Sequence, residues 1–268
     1  LGKSYLKALQ DYDVIIKAPG IPPFVVAPFL KKHHIITSQT EIFFDNCPGI
    51  LIGITGTKGK STTASLIYAV LKQGGVRVHL IGNIEKPVLG YLEKARAEDV
   101  FVYELSSFQL TNLPLSPHIA VLLNIYPEHI DYYQGSFLAY ARAKTNITKH
   151  QTQLDFLIYN AKDPLVANIA KKSKAQKIPF GARVLRNLVS KKETKFLASV
   201  EPALIIGKLF GIPQKKIQKA IKNFKPLPHR LERVGEWHGI TFYNDSLATI
   251  PEATIAALDA LGSKVHTL

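Results

Sequence analysis

The sequence predicts an α/β protein with a mostly parallel central sheet. From Cys47 onward, short apolar segments alternate with longer segments of helical periodicity, which is typical of a parallel sheet covered by helices on both faces. One apolar segment, residues 50–55, leads through a glycine-rich turn directly into a helical segment. The chain has 268 residues, 46% of them hydrophobic, which is enough to fill a buried core of this kind.

The apolar periodicity defines the elements in order. In residues 1–46, which predict the end of a separate α/β unit, the strands are 12–17 and 35–37 and the helices are 28–32 and 40–44. In the central region, the predicted strands are 50–55, 76–81, 100–104, 119–124, 155–159 and 177–180. The predicted helices of the central region are 61–73, 87–96, 137–149, 164–172 and 200–210.

The last part of the chain predicts the beginning of a further α/β unit. A basic amphipathic helix is predicted over 213–224, and Lys225-Pro226-Leu227-Pro228 is a rigid break that suits a domain linker. A hairpin with strands at 231–234 and 240–243 and a helix over 254–261 follow. We therefore expect a central domain with a mostly parallel sheet, flanked by remnants of two Rossmann-like α/β domains.

The charge of the chain bears on its partners. The net charge is +14, and nucleic acid is the first partner that such a charge suggests. The lysines are spread over many separate segments, however, so we favour a solvated basic surface, and anionic small substrates fit equally well. We expect no nucleic-acid partner, and nucleic-acid binding stays the alternative from another functional class.

The cysteine count and the hydropathy pattern bear on location. Cys47 is the only cysteine, which excludes a framework of intramolecular disulfides and favours a reducing, cytoplasmic location. No apolar run reaches the roughly 18 residues of a membrane helix, and no N-terminal segment resembles a signal peptide. We therefore expect no membrane partner.

The turn after the strand at 50–55 predicts a phosphate-binding loop. Gly56 and Gly59 let the backbone turn tightly and expose its N–H groups, and Lys60 adds a positive charge at a helix start. The motif is imperfect, because the usual spacing requires glycine where Ile54 stands. A tight turn with a surface lysine is the alternative. The strand and helix on either side favour a loop that binds a nucleoside triphosphate with a Ser or Thr hydroxyl on Mg²⁺.

Polar side chains follow two other predicted strands at their carboxyl ends, where parallel sheets bind ligands. Glu104 is either a Mg²⁺ ligand or an ordinary exposed acid, and the pattern favours neither. Residues 124–131 include His129 and form a dense polar cluster suited to metal binding or acid–base chemistry. Lys144 lies near an apolar helix face, where a lysine with its charged end in solvent is the ordinary interpretation.

Eight short motifs run through nearly the whole chain in a fixed order. They are Pro19-Gly20-Ile21-Pro22, Gly53 to Thr62, Gly82-Asn83-Ile84, Glu104 to Leu110, Asn124 to Asp131, Ala143-Lys144, Leu227 to Arg230 and Asn244 to Thr249. Together they resemble the Mur ligase family, and within it the ligases that add D-glutamate. The displaced glycine of that family's phosphate loop also accounts for the imperfect motif at Gly53.

The resemblance implies three domains, the outer two incomplete in this chain. Residues 1–46 would be the tail of an N-terminal domain that binds the UDP part of the substrate. Residues 47–226 would be the central ATP-binding domain. Residues 227–268 would be the start of a C-terminal domain that helps to bind ATP and the incoming amino acid.

The resemblance also implies roles for individual residues. ATP would be bound by Gly56, Thr57, Lys58, Gly59, Lys60, Ser61, Thr62, Arg230, Asp245 and Thr249. Two Mg²⁺ sites would be formed by Ser61, Glu104, His129 and Lys144, and the other substrate would be contacted by Asn83, Ser107 and His229. The catalytic residues would be Lys60, Lys144, His129 and Arg230. Lys144 would be carbamylated, which requires a lowered pKa because only a neutral amine reacts with CO₂.

The implied activity is ATP-dependent amide ligation by a monomer in peptidoglycan precursor synthesis, and through it a role in cell-wall biogenesis, cell shape and cell division. The carboxylate of UDP-N-acetylmuramoyl-L-alanine would take the γ-phosphate of ATP, and D-glutamate would then displace phosphate from the acyl phosphate. Lys60, Arg230 and Mg²⁺ would stabilise the developing charge. A ligase of the same fold with a different amino-acid acceptor is the alternative.

The sequence departs from the family pattern at three places. The family often has Lys where Leu247 stands and Asn where Ile250 stands. The family's adenine-contacting His-Asn segment should precede Ser199, and residues 194–197 do not match it. One cation near the phosphates would therefore be either missing or supplied by another residue, and the adenine would be held differently.

Overall fold

The computed structural model describes residues 5–82, 87–181, 197–225, 228–229, 231–246, 248, 251–262 and 265. Within this part of the chain, the strands form three separate sheets. The first sheet is a parallel pair of β1 (Val14–Ile16) and β2 (Ile35–Thr37). Two helices accompany it, α1 (Pro23–Val26) and α2 (Gln39–Asn46).

The second sheet has six strands and carries the centre of the molecule. Its strands are β3 (Ile50–Thr55), β4 (Val78–Gly82), β5 (Val100–Glu104), β6 (Ile119–Leu122), β7 (Phe156–Asn160) and β8 (Gln176–Phe180). Their order is β4-β5-β3-β6-β7-β8, and every neighbouring pair is parallel. The predicted α/β class with a mostly parallel sheet is therefore confirmed. Because β3 is central, its carboxyl end lies between those of β5 and β6.

Helices cover both faces of this sheet. They are α3 (Lys60–Gly74), α4 (Ser107–Leu110), α5 (Phe137–Lys149), α6 (Pro164–Lys172), α7 (Leu197–Leu209) and α8 (Gln214–Lys222). Successive strand residues point to opposite faces, so that Phe101 packs into one core and Val102 into the other. The first core includes residues of α2 and α5, and the second includes residues of α3, α7 and α8.

The third sheet is an antiparallel hairpin of β9 (Glu232–Trp237) and β10 (Ile240–Asn244). The helix α9 (Pro251–Leu261) follows it. The hairpin and the helix agree with their predicted types, and most predicted elements elsewhere differ from the structure only by a few residues at their ends. The predicted linker falls partly outside the described residues, at Pro226 and Leu227.

Two predicted helices were wrong in position or type. The helix predicted over 28–32 is replaced by α1 and a 3₁₀ turn at Ala27–Phe29, because Pro23 suits the first position of a helix. The helix predicted over 87–96 is a 3₁₀ helix over Val88–Lys94, and a glycine in its middle disfavours an α-helix. Neither change affects the strands that lead to the predicted site.

No helix in the described part of the chain is both long enough and apolar enough to cross a membrane. The longest helix near the predicted site, α3, packs its apolar face against the central sheet and against α7 and α8 instead.

Candidate functional site

The predicted phosphate loop is a turn of four residues, Gly56 to Gly59, between β3 and α3. Gly59 precedes the helix with a φ of +84°, a left-handed conformation that favours glycine. A Cβ added to Gly56 would lie 2.8 Å from Cβ of Leu123, so a side chain there would collide with the end of β6. The two glycines therefore let the turn pass close to β6 and enter α3 directly.

The loop after β6 holds this turn through Asn124. The Thr57 N–H donates to the carbonyl oxygen of Asn124 (2.8 Å), and the Lys58 N–H donates to its side-chain Oδ1 (2.8 Å). The Asn124 amide nitrogen in turn donates to the Lys58 carbonyl oxygen (3.0 Å). Three bonds from one residue fix the backbone of the turn, which is the preorganisation that an anion site requires.

Two lysines of the turn point in different directions. Lys60 donates from Nζ to the carbonyl oxygens of Gly56 (3.0 Å) and Thr57 (2.9 Å), so its charge lies over the turn. Lys58 forms an ion pair with Glu128, with Nζ 2.7 Å from Oε1. Burial alone would raise the pKa of Glu128, but its bond to Lys58 and the nearby positive charges hold that pKa below its ordinary value.

The first turn of α3 carries the predicted hydroxyl ligands. Ser61 is half-buried and Thr62 is buried. Thr63, one residue further along, is completely buried, and its Oγ1 has no hydrogen-bond partner among the described residues. The structure therefore places Ser61 as the more accessible of the two predicted hydroxyls.

Glu104 ends β5 beside the end of β3. It pairs in register with Ile54 on one side and with Gly82 on the other. The side chain is only 2% exposed, and its Oε2 has no hydrogen-bond partner among the described residues. A buried carboxylate oxygen without a partner is costly, and a cation is the partner that removes this cost. The sequence left two interpretations of Glu104 open, and the interpretation as an ordinary exposed acid was wrong.

Lys144 is as deeply buried as Glu104. Its side chain is 2% exposed, its Nζ donates to the Gly56 carbonyl oxygen (2.9 Å), and it lies 4.9 Å from the centre of the Tyr140 ring. Burial and the charge of Lys60 hold the pKa of Lys144 well below its ordinary value, although Glu128 and Glu104 act in the opposite direction. The ordinary interpretation of Lys144 as a surface lysine was therefore wrong.

Tyr140 and Asp163 complete the scaffold of the site, and neither is among the site residues predicted from the sequence. The hydroxyls of Tyr140 and Thr57 are 2.8 Å apart. Asp163 caps α6 and also accepts the Ile125 N–H (3.0 Å), so it fixes the start of the polar loop. The Asp-Pro pair at a helix start could have indicated Asp163, and the spacing of one turn from Lys144 could have indicated Tyr140.

His129 lies at the rim of the site. Its φ is +54°, its side chain is 53% exposed, and its ring lies 5.0 Å from that of Phe108. Its Nε2 is 3.8 Å from Oε2 of Glu128. Within the described ranges, no three His, Cys, Asp or Glu side chains converge as a preformed metal site. The metal set predicted from Ser61, Glu104, His129 and Lys144 therefore stays a prediction.

The predicted substrate-binding residue Ser107 is buried at the start of α4. The preceding Ser106 caps that helix in a reciprocal arrangement with Gln109. The Tyr133 hydroxyl lies against Ser107 and is 3.2 Å from the hydroxyl of Thr111. These contacts keep the start of α4 in place directly after Glu104.

Two predicted residues of the last unit contact their own hairpin. His229 donates from its backbone N–H to Glu232 (2.7 Å), and its Nδ1 accepts from the Asn244 amide nitrogen (2.8 Å). Asp245 accepts the Leu231 N–H (3.0 Å). The remaining predicted residues lie outside the described part of the chain, as do two of the three departures from the family pattern. They are Asn83, Arg230 and Thr249, and Leu247 and Ile250.

This geometry can be compared with known families. The model of the Mur ligase middle domain matches residues 54–213, which contain the phosphate turn, Glu104 and Lys144. The chain belongs to the Mur ligase family.

Curated Mur ligases are similar over most of the chain. A UDP-N-acetylmuramoylalanine–D-glutamate ligase from Streptococcus pyogenes serotype M49 is 39% identical over 273 aligned positions, which cover 93% of this chain and 60% of that enzyme. The ligase from serotype M1 is 38% identical with the same coverage. The chain thus spans about three-fifths of the length of these relatives.

Solved Mur ligase structures share the fold. MurF from Acinetobacter baumannii superposes with a TM-score of 0.67 at 16% identity, over 92% of this chain and 67% of that one. MurF from Thermotoga maritima, solved with ADP, superposes with a TM-score of 0.64 at 17% identity, over 92% of this chain and 70% of that one. At these identities, the likeness supports the arrangement of sheet and helices in this family.

Proposed function

We propose that the protein is an ATP-dependent amide ligase that adds D-glutamate to UDP-N-acetylmuramoyl-L-alanine through an acyl phosphate in peptidoglycan precursor synthesis. The observation that carries this proposal is that three features meet: a preorganised turn, a buried lysine, and a buried carboxylate with one oxygen that has no partner among the described residues. Lys144 reaches the turn at Gly56, and Glu104 is close enough to influence its pKa. The relatives at 39% and 38% identity are named for this reaction.

The phosphate turn supports the ATP half of the proposal. The backbone N–H groups at a helix start form an anion site, and Lys60 adds its charge over the turn that precedes α3. Phosphoryl transfer depends mainly on positioning and on stabilising negative charge. In this proposal the turn from Gly56 to Gly59, with Ser61 and Thr62, holds the phosphates of ATP, and Arg230 reaches them from the last unit.

The residues present fit a divalent cation. Glu104 offers a buried carboxylate oxygen that has no partner in the part of the chain that the structure describes, and Ser61 offers an accessible hydroxyl. Oxygen ligands of this kind suit Mg²⁺. We propose that Glu104, Ser61 and His129 would hold Mg²⁺ at two sites together with Lys144. The cation would neutralise charge on the phosphate oxygens when bound, while Lys60 does so from the protein side.

The environment of Lys144 supports the proposal that this lysine is carbamylated. Its lowered pKa raises the fraction of neutral amine, which is the form that attacks CO₂. The nitrogen would form a bond to the carbon of CO₂ and release one proton to solvent. The product is an anionic carboxylate in place of a cation, so it would add an oxygen ligand near Glu104. The adjacent charge of Lys60 would stabilise that anion.

The proposed organisation follows the three sheets. Residues 1–46 would contribute to binding the UDP part, 47–226 would bind ATP, and 227–268 would help to bind ATP and the amino acid. The helix α2 packs Phe43 against Phe101 in the central core, so it would connect the first two units rigidly. Asn83, Ser107 and His229 would contact the substrate. We expect a cytoplasmic monomer that binds neither membrane nor nucleic acid.

The test is phosphate release by the full-length protein. It is incubated with ATP, Mg²⁺, UDP-N-acetylmuramoyl-L-alanine and, in separate reactions, a panel of amino acids that includes both enantiomers of glutamate. We expect release that requires the UDP substrate and is fastest with D-glutamate. Faster release with another amino acid would support the alternative, a Mur-type ligase with a different acceptor. No substrate-dependent release would contradict both.

A further inference from the structure

A hydrogen-bonded contact joins the first unit to the loop that carries His129. Tyr132 donates its hydroxyl proton to the carbonyl oxygens of Pro19 (2.9 Å) and Ile21 (3.2 Å). Both belong to a turn closed by the bond from the Ile21 N–H to the Ala18 carbonyl oxygen (3.1 Å). The Tyr132 side chain thus bonds to two residues of a turn that lies more than a hundred residues away in the sequence.

The same tyrosine is fixed to the candidate site on its other side. Its backbone N–H donates to the carbonyl oxygen of His129 (3.2 Å). Its ring lies 4.4 Å from the ring of Phe108, which lies 5.0 Å from the ring of His129. Phe108 follows Ser107, the predicted substrate contact. A displacement of the 18–21 turn would therefore be transmitted to His129 through one backbone bond and the packed rings. The same rings would transmit it to Ser107.

A second donor reinforces the turn from within the first unit. Lys17 donates from Nζ to the Ile21 carbonyl oxygen (2.8 Å) and to that of Ala18 (3.2 Å). Ile21 therefore accepts from two side chains, one from each unit. Burial, followed by the neighbouring Tyr133, raises the pKa of Tyr132 to about 12, so its hydroxyl stays a donor throughout the neutral range.

We propose that Tyr132 is a positioning residue that holds the 18–21 turn in register with the loop of His129 and so aligns the UDP substrate with the phosphate turn. This inference rests on the proposed function, because it assigns substrate binding to the first unit. The hydroxyl contacts the protein and not the reacting atoms. Its loss should therefore weaken substrate binding equally in the ground state and the transition state.

The test uses Tyr132→Phe in the full-length protein, which keeps the ring contacts and removes the hydroxyl. We expect the KM for UDP-N-acetylmuramoyl-L-alanine to rise about three- to tenfold, in line with the usual net contribution of a hydrogen bond, with kcat and the KM for ATP within about twofold. Tyr91→Phe removes a hydroxyl elsewhere in the central unit and should change none of these. An unchanged KM for the UDP substrate, or equal losses for both substrates, would overturn the proposal.

Amide hydrogen exchange tests the same contact without turnover. In Tyr132→Phe, the Ile21 amide, which donates to the Ala18 carbonyl oxygen, should exchange several-fold faster, while the amides of the central strands keep the wild-type rate. Equal rates at the turn would overturn the positioning role, as would faster exchange throughout the central sheet. Because this measurement needs no activity, a failure of the proposed ligase function is distinguishable from a failure of this inference.

Lys17→Met provides a second variant at the same carbonyl oxygen. Because Lys17 and Tyr132 both donate to Ile21, their effects on the KM of the UDP substrate should be coupled. We expect the fold-increase in this KM in the double variant to differ by at least about twofold from the product of the fold-increases in the two single variants. Independent effects would contradict the view that both residues act through one turn.

Discussion

Lys144 donates a hydrogen bond from Nζ to the carbonyl oxygen of Gly56 at 2.9 Å, across 88 residues of sequence. The bond joins α5, on one face of the sheet, to the first residue of the phosphate turn. It also places a lysine whose pKa is lowered by burial and by Lys60 within reach of Glu104. A buried amine of this kind is costly to fold, which points to a chemical role for it.

The first prediction concerns carbamylation of Lys144. Activity of the wild-type protein should fall when CO₂ and bicarbonate are removed from the assay, because the proposed carbamate then dissociates. Lys144→Ala should lose about 10²-fold or more in kcat, and millimolar acetate or formate should restore part of it by occupying the place of the carbamate oxygens. Lys149→Ala, on the exposed side of the same helix, is the control. Wild-type rates in Lys144→Ala would contradict this role.

The second prediction concerns stability and pH at the same lysine. In the unfolded chain Lys144 has its ordinary pKa of 10.5, whereas the folded value is well below it. Between these two values only the unfolded state binds the proton, so the stability contributed by this site rises with pH by about 1.4 kcal/mol per unit. Lys144→Met removes the ionisable group. The Lys144→Met variant should therefore have a larger free energy of unfolding than the wild type at pH 7. This difference should shrink as the pH rises towards 10.5.

Urea unfolding at pH 7, 8 and 9 in buffer free of CO₂ measures this difference. Removing CO₂ matters because a carbamate would change the charge of the folded state. Lys149→Met controls for the loss of an exposed lysine on the same helix. If the difference in stability between Lys144→Met and the wild type does not change with pH, the lowered pKa of Lys144 is not the cause of that difference.

The third prediction concerns Lys60. Its Nζ lies over the carbonyl oxygens of Gly56 and Thr57, where it would stabilise charge on the phosphates. Lys60→Ala should reduce ATP turnover by about 10²–10³-fold while the far-UV circular dichroism stays unchanged. Lys72→Ala, further along α3, removes an exposed lysine that lies over the Tyr68 ring and should keep nearly full turnover. Equal turnover in the two variants would refute the phosphate-turn assignment.

The fourth prediction concerns Glu104 and Mg²⁺. Glu104→Gln keeps the shape of the side chain but removes the charge of a buried carboxylate whose Oε2 has no partner among the described residues. Without Mg²⁺ and nucleotide, the variant should melt at the same temperature as the wild type or higher. The increase in melting temperature that Mg²⁺ with ADP gives the wild type should be largely lost. Glu98→Gln, at an exposed acid, is the control, and a full increase in Glu104→Gln would exclude Glu104 as a ligand.

Several features of the site were predictable because they depend on local sequence. The strand at 50–55, the glycines of the turn and the start of α3 follow from one continuous segment, and the structure agrees with them. The parallel arrangement followed from the alternation of strands and helices. Even the position of Glu104 at a strand end could be stated in advance, since strand ends are marked by the change from apolar to polar residues.

The environment of each polar group could not be predicted in this way. Whether Glu104 is exposed or buried depends on β3 and β4, which flank it from distant parts of the sequence. The contact between Tyr132 and the 18–21 turn likewise has no sequence signal. Two helices were misplaced because a proline and a glycine acted locally against the apolar periodicity on which the prediction was based.

The sequence by itself determined the family, the parallel sheet and the glycine-rich turn before α3, because each of these follows from residues that are contiguous in the chain or from motifs in a fixed order. Only the tertiary structure decided that Lys144 is buried against Gly56, that Oε2 of Glu104 has no partner among the described residues, and that Tyr132 joins two units. The physical reason is that burial, lowered pKa values and unpartnered oxygens arise from packing between segments that lie far apart in the sequence.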